Sequence, residues 1–271
     1  MTLGHAVFLF AAAVLAGAVN SVAGGGTLLS FPAAIAAGMP PIVANATNAV
    51  ALVPGSLAAA WAYRRHLTGM RRLTALLAVP AVAGALVGAA ILRRTPQRLF
   101  DNVVPWLVLG ATVLILLQRV LTHAPSSGAP GDPAAIPRKR RGLLAGVVVL
   151  QFLVSIYGGY FGAAMGIVML AFLGHLPPLP QDEGPPRRPD LHQMNALKNI
   201  LAVIINGAAS VDFVAHGLVR PGPALLMAAG AVTGGVVGGR LGQRAPAHQV
   251  RRLVVVIGFA MAALLAWRRA G

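Results

Sequence analysis

The sequence contains no cysteine and only six acidic residues, and charged residues make up 10% of the chain. The absence of cysteine excludes disulfides, thiolate metal sites and thiol chemistry. Hydrophobic residues make up 57% of the chain and the mean hydropathy is +0.75, which leaves too little polar surface for a soluble domain of this length. The composition therefore predicts an all-α membrane protein that crosses the bilayer several times.

Basic residues are the charges that the chain does contain, and the formal net charge is +16. Most of them lie in short clusters between apolar runs, where basic residues fix the topology of membrane helices. This distribution argues against a nucleic-acid partner and predicts the lipid bilayer of the cell membrane as the environment. The basic clusters fall on both sides of the membrane, with a small excess that favours a cytoplasmic N-terminus.

The N-terminal apolar run resembles a secretory signal, because residues 6–19 are followed by small residues as at a signal-peptidase site. No Lys or Arg precedes the run, and the chain beyond it is again membrane-like. We therefore expect residues 1–22 to be a retained first span.

Hydropathy predicts about eight transmembrane helices. The apolar runs are residues 1–22, 42–63, 73–92, 102–121, 142–158, 193–213, 222–240 and 250–267. Two further runs, residues 27–38 and 160–174, flank glycine clusters and are shorter than the roughly 20 residues that a full span needs. We interpret these two runs as half-helices or re-entrant segments.

An internal duplication is visible when the sequence is compared with itself at an offset of 150 residues, which places Ala81–Pro96 on Ala231–Pro246. The sequence therefore predicts two transmembrane repeats, residues 1–122 and 142–271, joined by a basic linker rich in Pro and Gly at residues 123–141. Such repeats, each with a glycine-interrupted hydrophobic segment, are typical of transporters whose site lies between the repeats near the midplane. A parallel and an inverted relation of the repeats both stay open.

Three consecutive glycines, Gly24, Gly25 and Gly26, interrupt the apolar sequence after the first span. Unwound backbone is tolerated at membrane depth only where protein or a water-filled cavity satisfies its amide groups. Exposed backbone N–H groups and helix N-termini favour anions. We expect these glycines to line a cavity that binds an anion, and the alternative is close packing of small residues between helices.

Three segments resemble the TauE/SafE family of sulfite and organosulfur anion exporters and permeases: AGGGTLLSFPAAIAAGMPPIVANATNAVALVPGS, YGGYFGAAMG and NALKNILAVIINGAAS. The resemblance extends over about residues 8–268 and implies a permease or exporter of sulfite, sulfonates or related sulfur compounds. The chain departs from the family pattern at Ala164, where the second glycine motif usually reads Gly-Ala-Gly-x-Gly. It also carries an acidic, proline-rich insertion at Pro177–Asp190.

Lys198 is one of only two lysines and lies inside the apolar run 193–213. An ammonium group at that depth costs several kcal/mol unless it is paired or hydrated. No acidic residue lies within one helical turn of it. A bound anion would serve as its partner, and the alternative is that the side chain snorkels to the interface from near the helix start.

Polar uncharged side chains accompany Lys198, since Asn195 and Asn199 are spaced i, i+4 and Asn206 continues the stripe. In the first repeat, Asn48 and Ser56 occupy the positions that correspond to Lys198 and Asn206. Such groups donate hydrogen bonds to an oxyanion, although interhelical hydrogen bonding is an alternative. The predicted substrate-binding residues are Gly24, Gly25, Gly26, Thr47, Asn48, Ser56, Gly162, Asn195, Lys198, Asn199 and Asn206.

The leading hypothesis is a transporter for a small anionic substrate that works by alternating access, with Asn48 and Lys198 facing a shared cavity between the repeats. The alternatives are a membrane accessory or assembly subunit without transport and, with less support, an intramembrane enzyme. The sequence predicts no catalytic residue, no metal site and no cofactor, and it leaves a homo-oligomer open. Only Asp101 and Asp212 among the acids adjoin apolar runs, so no coupling ion is assigned.

Overall fold

The computed structural model describes residues 2–22, 25–67, 69–117, 137–176, 189–241 and 247–270, and all regular secondary structure in these ranges is helical. The helices are α1 (Leu3–Val22), α2 (Thr27–Ala36), α3 (Pro41–Ala62), α4 (Arg71–Arg94), α5 (Gln97–Leu116), α6 (Pro137–Tyr160), α7 (Met165–Leu173), α8 (Leu191–Ala215), α9 (Pro221–Leu241) and α10 (Ala247–Ala270). A short 3₁₀ helix, Arg64–Leu67, follows α3. The predicted all-α fold is confirmed.

Seven helices in the described ranges are long and apolar enough to cross a membrane, namely α1, α3, α4, α5, α6, α8 and α9. They correspond to seven of the eight predicted runs. The eighth run falls on α10, where the apolar helix among the described residues is Val254–Leu265. The chain is a multi-pass membrane protein.

The two short helices occupy the places where the sequence predicts half-helices. α2 has 10 residues and α7 has 9, so each is about 15 Å long, half the thickness of a bilayer core. A Cβ on Gly26, directly before α2, would overlap the carbonyl oxygen of Ala16 in α1. The chain therefore turns back against α1 as α2 begins.

Two helix crossings rest on glycines spaced four apart, a pattern that lets membrane helices approach closely. α4 meets α6 through Gly84 and Gly88, and a Cβ on Gly88 would overlap the carbonyl oxygen of Ile156. α9 meets α1 in the same way, and a Cβ on Gly234 would overlap the carbonyl oxygen of Val14. These glycines serve helix packing, the alternative that the sequence left open for its glycine-rich segments.

The largest helix contacts correspond to one another when the two halves are exchanged. The α1–α9 contact becomes the α6–α4 contact, and the α3–α9 contact becomes the α8–α4 contact. α3 lies against its counterpart α8, and α5 lies against its counterpart α10. This pattern supports the predicted duplication, in which Gly84 and Gly88 correspond to Gly234 and Gly238.

The predicted linker, residues 123–141, lies mostly outside the described residues. Its last residues, 137–141, belong to α6, although the apolar part of that helix begins at Gly142 as the sequence predicts. Most of the acidic insertion, residues 177–188, also lies outside the described residues. The proposed repeat boundaries stay a prediction.

Candidate functional site

A small cavity of about 30 Å³ lies where both short helices, α2 and α7, meet the long helices α1, α3 and α8. It is lined by Asn20, Gly25, Thr27, Ser56, Ala59, Gly162, Met165, Gly166, Lys198, Asn199, Ala202 and Asn206. Residues of both halves contribute, and the breaks before α2 and α7 supply glycines to it. A cavity of this size holds a group as small as a water molecule or two.

Of the described residues that line the cavity, Lys198 alone carries a charge. The residue is 2% exposed, and its Nζ has no hydrogen-bond partner among the described residues. This burial contradicts the snorkelling alternative, which places the ammonium group at the surface. A buried ammonium without a partner carries a large desolvation cost, so the cavity favours an anionic group beside Nζ.

The depth of Lys198 is set by the start of α8. Asp190 Oδ1 accepts a hydrogen bond from the Gln193 N–H at 2.8 Å, and Gln193 Oε1 accepts one from the Asp190 N–H at 3.0 Å. This capping box fixes the first turn of the helix. Lys198 follows eight residues after Asp190, which places it roughly 12 Å along the helix axis.

Uncharged polar groups surround the ammonium group. Asn199 is buried, and its Nδ2 has no hydrogen-bond acceptor among the described residues. Asn206 on α8 and Ser56 on α3 line the same cavity, as the sequence predicts. Asn195 is partly buried and does not line it. The site therefore presents two buried donors, Lys198 Nζ and Asn199 Nδ2, that the described protein groups leave without an acceptor.

The break between α1 and α2 is closed by the side chain of Asn20, which is not among the predicted site residues. Asn20 Oδ1 accepts hydrogen bonds from the N–H groups of Gly25, at 3.1 Å, and Gly26, at 2.8 Å. The two amides expected to bind the anion are thus already bonded within the protein. Gly25 lines the cavity with φ +108°, a conformation that glycine adopts without steric cost, whereas Gly24 lies outside the described residues.

The break between α6 and α7 has a different construction. Gly162 lines the cavity with φ +74°, and Ala164 follows with φ +61°. The Tyr157 hydroxyl donates to the carbonyl oxygen of Ala163 at 2.6 Å. The departure from the family pattern at Ala164 therefore leaves an alanine in a left-handed conformation that favours glycine.

Two predicted residues of α3 do not line the cavity. Thr47 is buried, and its Oγ1 accepts a hydrogen bond from the Arg220 N–H at 3.1 Å, which holds α3 against the segment before α9. Asn48 is buried elsewhere, eight residues or about 12 Å along the helix from Ser56. The expected convergence of Asn48 and Lys198 on one cavity is therefore not found, and the repeat-related pair that does converge is Ser56 and Asn206.

Six lining residues were not predicted from the sequence: Asn20, Thr27, Ala59, Met165, Gly166 and Ala202. The sequence could have identified Asn20 as a site residue, because it is a lone amide at the end of an apolar run just before the glycine triplet. Ala59 and Ala202 follow Ser56 and Asn199 by three residues, a spacing that places them on the same helix face. Their small side chains leave room in the cavity.

Among the described residues, seven helices are long and apolar enough to cross a membrane, and a buried polar cavity lies between them. This arrangement is typical of transporters, which bind their substrates in such cavities. The chain belongs to the sulfite exporter TauE/SafE family, whose model matches residues 9–265. It is a membrane transporter of the cell membrane.

Three curated relatives illustrate the similarity over nearly the whole chain. A "Probable membrane transporter protein" of Haemophilus influenzae is 25% identical and covers 96% of this chain and 93% of its own length. "Probable membrane transporter protein ORF9" of Sinorhizobium is 27% identical, with coverage of 94% and 90%. "Probable membrane transporter protein YfcA" of Escherichia coli is 28% identical, with coverage of 95% and 88%. No solved structure matches the chain.

Proposed function

We propose that the protein transports small oxyanions of sulfur, such as sulfite or a sulfonate, and that these bind in the cavity beside Lys198. At about 30 Å³ the cavity holds no more than a water molecule or two, so the proposal requires the cavity to widen around the anion. It does so as it opens alternately to the two sides of the membrane while the two repeats move against each other. The description of the family as sulfite exporters supports the choice of substrate class. The chemistry of the cavity supports an anion independently of that description.

The observation that carries the proposal is the Lys198 ammonium, buried in a cavity to which the described part of the chain contributes no carboxylate. A substrate oxygen with a negative charge accepts a hydrogen bond from Nζ and offsets its desolvation. The neighbouring Asn199 Nδ2 donates to a second oxygen of the same anion. An oxyanion with several oxygens on one small centre supplies a separate acceptor to each of the two donors.

The remaining lining groups hold the substrate without adding charge. Ser56 and Asn206 each offer a polar side chain, and they enter from the two halves of the molecule. Gly25 and Gly162 contribute backbone to the lining, in positive-φ conformations that glycine adopts without steric cost. A site built from both repeats suits alternating access, because relative motion of the repeats then changes the exposure of the substrate.

The test is uptake of sulfite, a sulfonate and a neutral analogue into proteoliposomes that contain the purified protein alone. Lys198→Gln removes a charge-assisted hydrogen bond worth about 1.5–3 kcal/mol, which corresponds to a loss of roughly ten- to a hundredfold in apparent affinity for the anions. Lys198→Arg keeps the charge but places a larger planar group in the cavity, so we expect a partial loss. Arg98→Gln removes an exposed charge at the start of α5 and serves as the control.

Three outcomes would contradict the proposal. Equal apparent affinities in wild type and Lys198→Gln would remove Lys198 from the binding site. A similar loss in Arg98→Gln would attribute the effect to net charge instead of to the cavity. Absence of flux with the purified protein would favour an accessory subunit, the alternative in which another chain carries the substrate.

A further inference from the structure

A second concave surface lies at the edge of the apolar helices, outside the cavity that contains Lys198. This groove has a volume of about 780 Å³ and is formed by α4, the 3₁₀ helix before it and one residue of α8. Its lining consists of Arg64, Arg65, Leu67, Arg71, Thr74, Ala75, Ala78 and Ile200. We propose that the groove binds one anionic phospholipid, with the headgroup phosphate among the arginines and an acyl chain along α4.

The basic end of the groove coincides with the boundary of the apolar helices. Arg64 and Arg65 follow the span that ends at Ala62, and Arg71 begins the span of α4. Trp61 is exposed beside them, and tryptophan is enriched at the level of lipid headgroups. The three arginines therefore lie where the phosphates of the bilayer lie.

Arg64 is held in place by its neighbour. The guanidinium carbon lies 4.4 Å from the centre of the Trp61 ring, and Nη1 donates to the Trp61 carbonyl oxygen at 2.9 Å. A guanidinium group that stacks on an aromatic ring keeps its outward N–H groups free to contact phosphate oxygens. Within the described ranges, no carboxylate lines the groove and competes for these donors.

The other end of the groove is apolar and reaches into the hydrocarbon region. From Arg71 to Ala78 the lining descends α4 by about 10 Å, and Ile200 of α8 forms the opposite side. Thr74 does not offer its hydroxyl hydrogen, because it donates that hydrogen to the Met70 carbonyl oxygen at 2.9 Å. A soluble anion makes no favourable contact with this apolar half, whereas an acyl chain attached to the headgroup packs against it. The combination selects a phospholipid over a free anion.

Native mass spectrometry of the purified protein, titrated with phosphatidylglycerol and separately with phosphatidylcholine, tests the proposal. We expect saturable binding of phosphatidylglycerol and weaker binding of phosphatidylcholine. The double variant Arg64→Gln/Arg71→Gln removes two headgroup contacts, and we expect its affinity for phosphatidylglycerol to fall by about tenfold or more. Ala78→Leu keeps every charge and narrows the apolar half, so it weakens binding as well.

The matched control is Arg94→Gln/Arg98→Gln, which removes two exposed charges outside the groove. An equal loss of phosphatidylglycerol in this control would overturn the proposal, because it would reflect net charge. Inorganic phosphate is the third ligand in the titration. If phosphate at matched concentration displaces the lipid and Ala78→Leu has no effect, the groove binds free anions and the assignment to a phospholipid is wrong. None of these readouts depends on flux, so the result is separate from the proposed transport function.

Discussion

The two breaks that precede α2 and α7 occupy corresponding places in the two halves, yet they are stabilised by opposite kinds of hydrogen bond. In the first break, Asn20 accepts from two backbone N–H groups, those of Gly25 and Gly26. In the second break, Tyr157 donates to one backbone carbonyl, that of Ala163. One break is thus closed through its amides and the other through a carbonyl.

The difference shows how two halves with corresponding helix contacts can build a site that is not symmetric. Both breaks bring glycine backbone to the cavity, but the charge comes from Lys198 in the second half alone. Its counterpart at the 150-residue offset, Asn48, is neutral and does not line the cavity. The backbone of the two breaks contributes to the shape of the cavity, and side chains that differ between the halves determine its charge.

The largest effect is expected from Gly26→Ala in the first break. Gly26 has φ −57°, so its backbone conformation accepts alanine, but the new Cβ would overlap the carbonyl oxygen of Ala16. Because backbone atoms on both sides cannot move aside cheaply, we expect a loss of about 3 kcal/mol or more and little folded protein. Size-exclusion profiles and thermal unfolding in detergent measure this. A normally folded Gly26→Ala protein would show that the backbones do not meet as described.

Gly25→Val should abolish flux while it leaves most of the protein folded. A Cβ here would lie 2.6 Å from the end of the Ile115 side chain, which can shift, but φ +108° is unfavourable for a β-branched residue. The strain displaces the backbone by which Gly25 lines the cavity. The matched control is Gly38→Val, because Gly38 also has a positive φ, +87°, and has open space around it. The two variants carry a similar backbone cost of about 1–3 kcal/mol. Equal flux in both would contradict the cavity-lining role of Gly25.

Asn20→Ala and Tyr157→Phe compare the two hydrogen-bond arrangements directly. Asn20→Ala leaves two amides near the cavity without their acceptor, and we expect a cost of about 1–3 kcal/mol. Tyr157→Phe removes one neutral hydrogen bond to a carbonyl, at a cost of about 1 kcal/mol. Thermal unfolding of the two variants in the same detergent gives the order. A greater loss of stability in Tyr157→Phe than in Asn20→Ala would contradict the prediction that the first break depends more on its side chain.

Ala164→Gly should produce the smallest change, and in the opposite direction. Ala164 precedes α7 as Gly26 precedes α2, but it carries φ +61°, which is unfavourable for a residue with a Cβ. Glycine removes the backbone strain of the folded state, but it also increases the conformational entropy of the unfolded chain, which offsets part of the gain. The expected net stabilisation is about 0.5–1 kcal/mol. A rise of the unfolding temperature by a few degrees would agree with this, and a fall would show that the buried alanine methyl contributes more than its backbone costs.

Most of the fold was predictable because it depends on properties that the sequence displays locally. Apolar runs gave seven of the helices that can cross the membrane, and the glycine clusters gave the positions of α2 and α7. The contact partners were not predictable from runs alone. The sequence does not show which helix Gly88 and Gly234 contact, and the approach to Ile156 and Val14 identifies them as packing positions.

The sequence predicted the buried charge of the candidate site. It was less successful for residues whose contact with the cavity depends on their position on a helix. Lys198, Asn199, Asn206 and Ser56 line the cavity as the sequence predicts. Asn48 does not, because its distance along α3 from Ser56 carries it away from the cavity. The closure of the first break by Asn20 required knowledge that the chain turns back on α1, which composition does not contain.

The contact between α1 and α9 forms only after a delay during synthesis of the chain, because α1 is made long before α9. α4 ends at Arg94 and its glycine-packed partner α6 begins at Pro137, so the two helices leave the ribosome close together. α1 ends at Val22, whereas its partner α9 begins at Pro221. At ~5–20 residues per second, α1 is inserted roughly 10–40 s before the surface that packs against it exists. During that interval the helix remains in the bilayer with only lipid or neighbouring helices against the face that later receives Gly234.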